Sequence, residues 1–222
     1  MSLKKCLVGG AILLMSILVA CSGGQSLDGK VKLQIVEKIK ELETSEYDLY
    51  YFKIDYDTYF LQVDGIVSDS YLVAESKRVI FGYDGVNYTS KELKGMPQDE
   101  WNKHKDYMLR LIEKIGLDGQ KETIQFSEPY DSEQENEVFI YTSHMKEVQD
   151  KPFTKTNKKY ILNLIEGQWL VTSVEFDRFT YGSERTEEEI KSQLAEMEYQ
   201  MHEDQPVEYL DDTIVLQGVA EK

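Results

Sequence analysis

Cysteine is almost missing from this chain: Cys6 and Cys21 are the only two, and there are three histidines and four prolines. So little cysteine excludes a disulfide framework and a multi-cysteine zinc site. The scarcity of proline argues against long linkers, and most of the chain reads as folded. Positive charge is the next shortage. Lys and Arg number 25 against 41 Asp and Glu, for a net charge of −16. That balance repels the phosphates of nucleic acid and leaves no basic patch for anionic lipid. No glycine-rich phosphate loop and no Gly-x-Ser-x-Gly elbow occurs. His104, His144 and His202 are far apart and lack the i, i+4 spacing of a helical metal site. The acids are so numerous that no carboxylate pair stands out as glycosidase-like. The residues therefore assign no catalytic, cofactor-binding or metal-ligating group.

What is present begins at the N-terminus. Lys4 and Lys5 precede an uncharged run from Cys6 to Ala20, which Ser22-Gly23-Gly24 ends abruptly. A positive start, an apolar core and small residues are the parts of a secretory signal. The run is shorter than the ~20 apolar residues of a spanning helix. Leu18-Val19-Ala20-Cys21 resembles the lipobox of bacterial lipoproteins. The resemblance implies cleavage between Ala20 and Cys21 and a diacylglyceryl group on the Cys21 sulfur. Each buried methylene contributes about 0.8 kcal/mol, and one chain alone anchors only marginally, so two acyl chains on Cys21 would hold stably. The expected location is the extracytoplasmic face of the cell membrane, with the bilayer as first partner. Losing residues 1–20 removes two lysines and no acid, taking the charge to about −18. Cys21 is then the sole cysteine, and a protein without disulfides depends on its core.

The organisation expected is a signal peptide over 1–20, a lipidated cysteine and flexible tether over 21–28, a helix with antiparallel strands over 29–95, a helix, four-stranded antiparallel sheet and C-terminal helix over 96–202, and an acidic tail over 203–222. Fully extended, the tether reaches about 20–25 Å. Val31, Ile35, Val36, Ile39 and Leu42 recur at helical spacing within 29–44. From Tyr47 the period reads as two: strands are expected over 47–54, 59–63, 71–75 and 78–83, with returns at Asp55-Tyr56-Asp57, Asp64-Gly65 and Asp84-Gly85. Pro97 opens and Gly116 closes a second helix over 98–115. Strands follow over 122–127, 137–146, 159–165 and 168–179, the last two joined by Glu166-Gly167. Thr186 and Glu189 form a capping box for a helix over 186–201, and residues 213–216 suit an edge strand.

This pattern is α+β: a curved antiparallel sheet packed on helices, either as one sheet or as two helix-plus-meander units. "KKYILNLIEGQWLVTSVEFD", Lys158 to Asp177, resembles cystatin-like and nuclear-transport-factor-2-like exported domains, in which a helix lies in the curve of a sheet. The resemblance implies a fold and transfers no functional residue.

Two further groups are candidates. Asp131, Glu133, Glu135 and Glu137 alternate, but lack the glycine and Asp-x-Asp start of calcium loops; a solvated hairpin connection fits better. Tyr47, Tyr50, Tyr51, Tyr56, Tyr59, Trp101 and Trp169 suit strand packing or the lining of a sugar or lipid pocket. The functional expectation is a non-enzymatic binding or assembly module with a small-molecule or protein ligand outside the membrane. The alternative is a small exported isomerase or hydrolase using a carboxylate or His144 in the concave sheet.

Overall fold

The computed structural model describes residues 27–75, 77, 79–83, 86–114, 116, 119–181, 186–201 and 206–218. Ala20, Cys21, His202 and the tether before Leu27 lie outside them. The fold is α+β, as the sequence pattern indicates, with six helices, a two-stranded hairpin and an open antiparallel sheet among the described residues.

Helix α1 (Gly29–Tyr50) opens where the Asp28 carboxylate accepts the Lys30 amide at 3.2 Å. Such a cap satisfies one of the orphan amides of a helix start. Its buried stripe runs Ile35, Ile39, Leu42, Glu43 and Tyr47. The expected strand from Tyr47 is therefore corrected to helix. Aromatic-rich segments favour strands only through the surface they pack on, and here Tyr47 extends a stripe of three- and four-residue spacing against the sheet. The helix stops at Phe52, whose φ of +57° is left-handed. A non-glycine residue there costs about 1–3 kcal/mol. The Phe52 ring is buried 5.0 Å from Trp101, and that packing offsets the strain.

The strands expected over 59–63 and 71–75 are likewise helical. Helix α2 (Tyr56–Gln62) starts because Asp55, read as a turn residue, accepts the Thr58 amide at 2.8 Å. Helix α3 (Asp69–Glu75) starts where Ser68 Oγ accepts the Tyr71 amide at 3.2 Å. A short polar residue before an aromatic run signals a cap as readily as a turn. The hairpin β1 (Val79–Tyr83) and β2 (Val86–Thr89) forms as expected, followed by α4 (Ser90–Leu93) and by α5 (Gln98–Lys114) after Pro97.

The main sheet contains β3 (Lys121–Ser127), β4 (Tyr130–Asp131), β5 (Glu137–Val148), β6 (Lys151–Ile165), β7 (Gln168–Thr180) and β8 (Tyr209–Gln217). Its order is β7-β6-β5-β3-β8, with β4 beside β5. Glu166 and Gly167 turn β6 into β7 at φ +50° and +82°, the paired positive angles of a tight hairpin. Between β7 and β8 runs α6 (Glu187–Met201), capped reciprocally by Thr186 and Glu189. It lies against β6 and β7. The edge strand expected at 213–216 is the centre of β8, bonded to β3.

One apolar core joins the two blocks of the chain. It runs from Ile35, Ile39 and Leu42 through Tyr59, Val63 and Tyr71 to Phe126, Ile140, Leu162 and Val171. Among the described residues no helix is long and apolar enough to cross a membrane.

Leu42 is fully buried and Leu61 is 75% exposed. Leu42→Ala is expected to lower unfolding free energy by about 2–5 kcal/mol. Leu61→Ala should stay within about 0.5 kcal/mol of the parent. Urea titration of both variants checks the assignment of this region to helix, because a strand over 59–63 with Leu61 inward would make Leu61→Ala costly as well.

A buried charge network in a cleft between the first helix and the sheet

Strand pairing aligns the site. Arg178, Thr156, His144, Ile124 and Ile214 stand opposite one another across β7, β6, β5, β3 and β8. Side chains on one face recur every second residue. The neighbouring rows therefore bring Lys146 beside Glu122, and Lys158 beside Thr142, onto the same face. Glu43 meets this face from α1, with Glu46 and Tyr47 on the next turn and Tyr50 on the one after.

Glu43 is 3% exposed and collects donors on both oxygens. Tyr160 donates its hydroxyl to Oε1 at 2.7 Å, Thr142 donates at 3.3 Å, and His144 Nε2 lies 2.9 Å away. Lys158 donates to Oε2 at 2.7 Å. The other ring nitrogen, His144 Nδ1, faces Glu122 Oε1 at 2.8 Å. Glu46 accepts from Tyr71 at 2.8 Å and from Lys158 at 3.4 Å.

Burial alone would raise the Glu43 carboxyl; the charges of His144 and Lys158, with their hydrogen bonds, outweigh it and hold Glu43 well below the ordinary carboxylate range. Glu122 is lowered in the same way, burial opposing and the His144 hydrogen bond and charge winning. Burial works against the His144 cation, yet the Glu43 charge and the two carboxylate contacts raise its pKa above 6.5. Burial, then the charges of Glu43 and Glu46, push the Tyr160 hydroxyl far up. The floor of the site is thus a histidine ring between two carboxylates that favour its charged form, with a lysine closing the circuit.

Above it is a cleft of about 150 Å³, walled by Tyr47, Tyr50 and Tyr51 on one side and by Lys146, Lys158 and Arg178 on the other. Lys146 lies 3.6 Å from Glu122 and over the Tyr50 ring at 5.5 Å. Arg178 Nε donates to Thr156 at 3.2 Å.

Of the expected candidates, the fold brings His144, Tyr47, Tyr50 and Tyr51 together. Tyr56, Tyr59 and Trp101 are core residues, and Trp169 packs on the core. His104 is buried in α5 against the Tyr88 ring at 4.6 Å. Asp131, Glu133, Glu135 and Glu137 lie along the β4–β5 connection, where Ser132 donates to Glu137 at 2.8 Å. Among the described residues no three His, Cys, Asp or Glu side chains are placed to hold a metal. Glu43, Glu122, Lys158 and Tyr160 were not expected. Glu43 carried a signal: a lone acid four residues after Ile39 and four before Tyr47, on the apolar stripe itself. No protein-family model and no curated protein matches the chain, so its function is read from this site.

Removing one partner of a buried ion pair costs about 3–5 kcal/mol. Glu43→Gln should destabilise by that order in a urea titration. The pH dependence has a definite sign. His144, raised in the fold, adds stability that is complete below about pH 6.5 and lost as pH climbs through its folded value. Glu43 and Glu122, both lowered, add stability present above about pH 4.5 and lost on acidification. The curve should peak between these limits. Its excess over the curve of His144→Gln should shrink as pH rises above neutrality; an excess that grows there contradicts a charged His144.

Proposed function

We propose that the protein is a membrane lipoprotein, anchored through an acylated Cys21 on the extracytoplasmic face, that uses the α1–sheet cleft as a non-enzymatic binding site. The sequence Leu18-Val19-Ala20-Cys21-Ser22-Gly23-Gly24 supports the anchor. The observation that supports binding rather than catalysis is the saturation of the cleft floor. Glu43 has four polar neighbours within hydrogen-bonding distance, and both His144 nitrogens face carboxylates. A general base needs a free lone pair within reach of the proton it takes. Glu43 Oε1 is crowded by three neighbours, its Oε2 is engaged by Lys158, and both His144 ring nitrogens already face carboxylates. An isomerase or hydrolase built on His144 or its carboxylates is therefore the weaker reading. The cleft rim, by contrast, is open and mixes aromatic faces with charged heads, the lining of a small-ligand site.

Two measurements test the two halves. Intact-mass analysis of membrane-extracted protein should give a chain starting at Cys21 with added diacylglyceryl mass, absent in Cys21→Ala. An unlipidated mature chain overturns the anchor. Nitrogen-15 NMR of His144 at neutral pH should give two protonated ring nitrogens. A neutral ring with one free nitrogen would restore the catalytic alternative.

A further inference from the structure

The cleft has few acceptors left and several donors. Both oxygens of Glu43 are occupied, as are those of Glu46, and Glu122 Oε1 faces His144, while its Oε2 holds Lys146 only in a long ion pair at 3.6 Å. Three donors keep capacity for a ligand. The terminal nitrogens of Arg178 make no hydrogen bond among the described residues, its Nε alone being used. Lys146 Nζ approaches a carboxylate oxygen no closer than 3.6 Å, beyond hydrogen-bond distance, and rests over tyrosine rings. The Tyr47 hydroxyl is the third. Tyr47 is 6% exposed and lines the cleft; its hydroxyl makes no close hydrogen bond and interacts with the Tyr51 hydroxyl, which itself donates to Gln120 at 2.6 Å. An unmade hydrogen bond on a buried polar group costs about 1–3 kcal/mol. Such a group calls for a better partner, which a ligand atom can supply.

Charge points the same way. Lys146, Lys158 and Arg178 face Glu43, Glu46 and Glu122, so three cations match three carboxylates within a chain of net −16, and the carboxylates beside His144 favour its charged form as well. Lys146 and Arg178 sit two strands apart, about 10 Å in the pairing direction, and both line the cleft. The cavity of about 150 Å³ is smaller than the ~300–1,000 Å³ of ordinary ligand pockets. It excludes a polymer and admits a molecule of a few heavy atoms.

We propose that this cleft, taken as the binding site above, holds a small oxyanion, the carboxylate or phosphate head of a compact ligand, between Arg178 and Lys146, with the Tyr47 hydroxyl as third donor. A planar guanidinium offers paired N–H groups that match both heads, whereas Lys146 acts as a point charge. The head comes either from a soluble molecule or from a phospholipid.

The test is calorimetric titration of the full chain with succinate and with inorganic phosphate, chloride holding ionic strength constant. Saturable one-site binding by either is expected. Arg178→Gln and Lys146→Gln should each weaken it at least tenfold, Arg178→Lys should recover part, and Tyr47→Phe should weaken it less, all with unchanged circular dichroism. Phosphatidylcholine vesicles with and without phosphatidic acid then assign the source. Competition by the acidic vesicles alone supports a lipid headgroup, and its absence supports a soluble anion. No saturation beyond chloride, or saturation untouched by these substitutions, overturns the proposal. Shifts of the Lys146 and Arg178 NMR signals with glycerol or ethylammonium chloride, and none with either anion, overturn the anion but keep the cleft as a binding site. Shifts with no probe remove both.

Discussion

A carboxylate at the middle of a helix's apolar stripe has to be answered by the surface it packs on. Glu43 is that carboxylate, and the sheet answers it with Tyr160, Thr142, His144 and Lys158 from two adjacent strands. Isolated, such an ion would be expensive to bury. Matched, it fixes where α1 rests, because donors at those distances tolerate little sliding. A purely hydrophobic contact of the same area would allow several registers. The network thus defines position, while a buried ion pair by itself adds little net stability over an apolar contact.

The same pairing explains why the cleft exists. The helix–sheet interface is apolar around Ile35, Ile39 and Leu42, where it closes. It turns polar at Glu43 and opens at Tyr47 and Tyr50, where long cationic side chains of the sheet replace aliphatic ones. A seam that begins as core and ends as charged rim leaves a recess at its end. Its sheet side is built from alternate positions on β5 and β6 together with Arg178 of β7, and its other side from tyrosines at the end of α1.

The C-terminal half of this architecture was legible. Strand alternation, the Glu166-Gly167 turn, Pro97 before α5 and the Thr186–Glu189 box each carry local physical signals, and each element formed. The region from Tyr47 to Glu75 was not. Its aromatic density suits a pleated surface as well as a helix face, and Asp55 caps as readily as it turns. Only the sheet, distant in sequence, decides between them. The site was half visible for the same reason. His144 stood out by rarity. Glu43 and Lys158 were two among many acids and lysines, distinguished only by what they face once the helix is docked.

Glu43 and His144 are 101 residues apart, and Glu43 and Lys158 are 115 apart. The helix cannot bury its stripe on an apolar surface alone without stranding a charge. Docking α1 before β5 and β6 are paired would carry that cost. The acid that locates the finished helix thus ties the first helix to two strands about a hundred residues further along the chain.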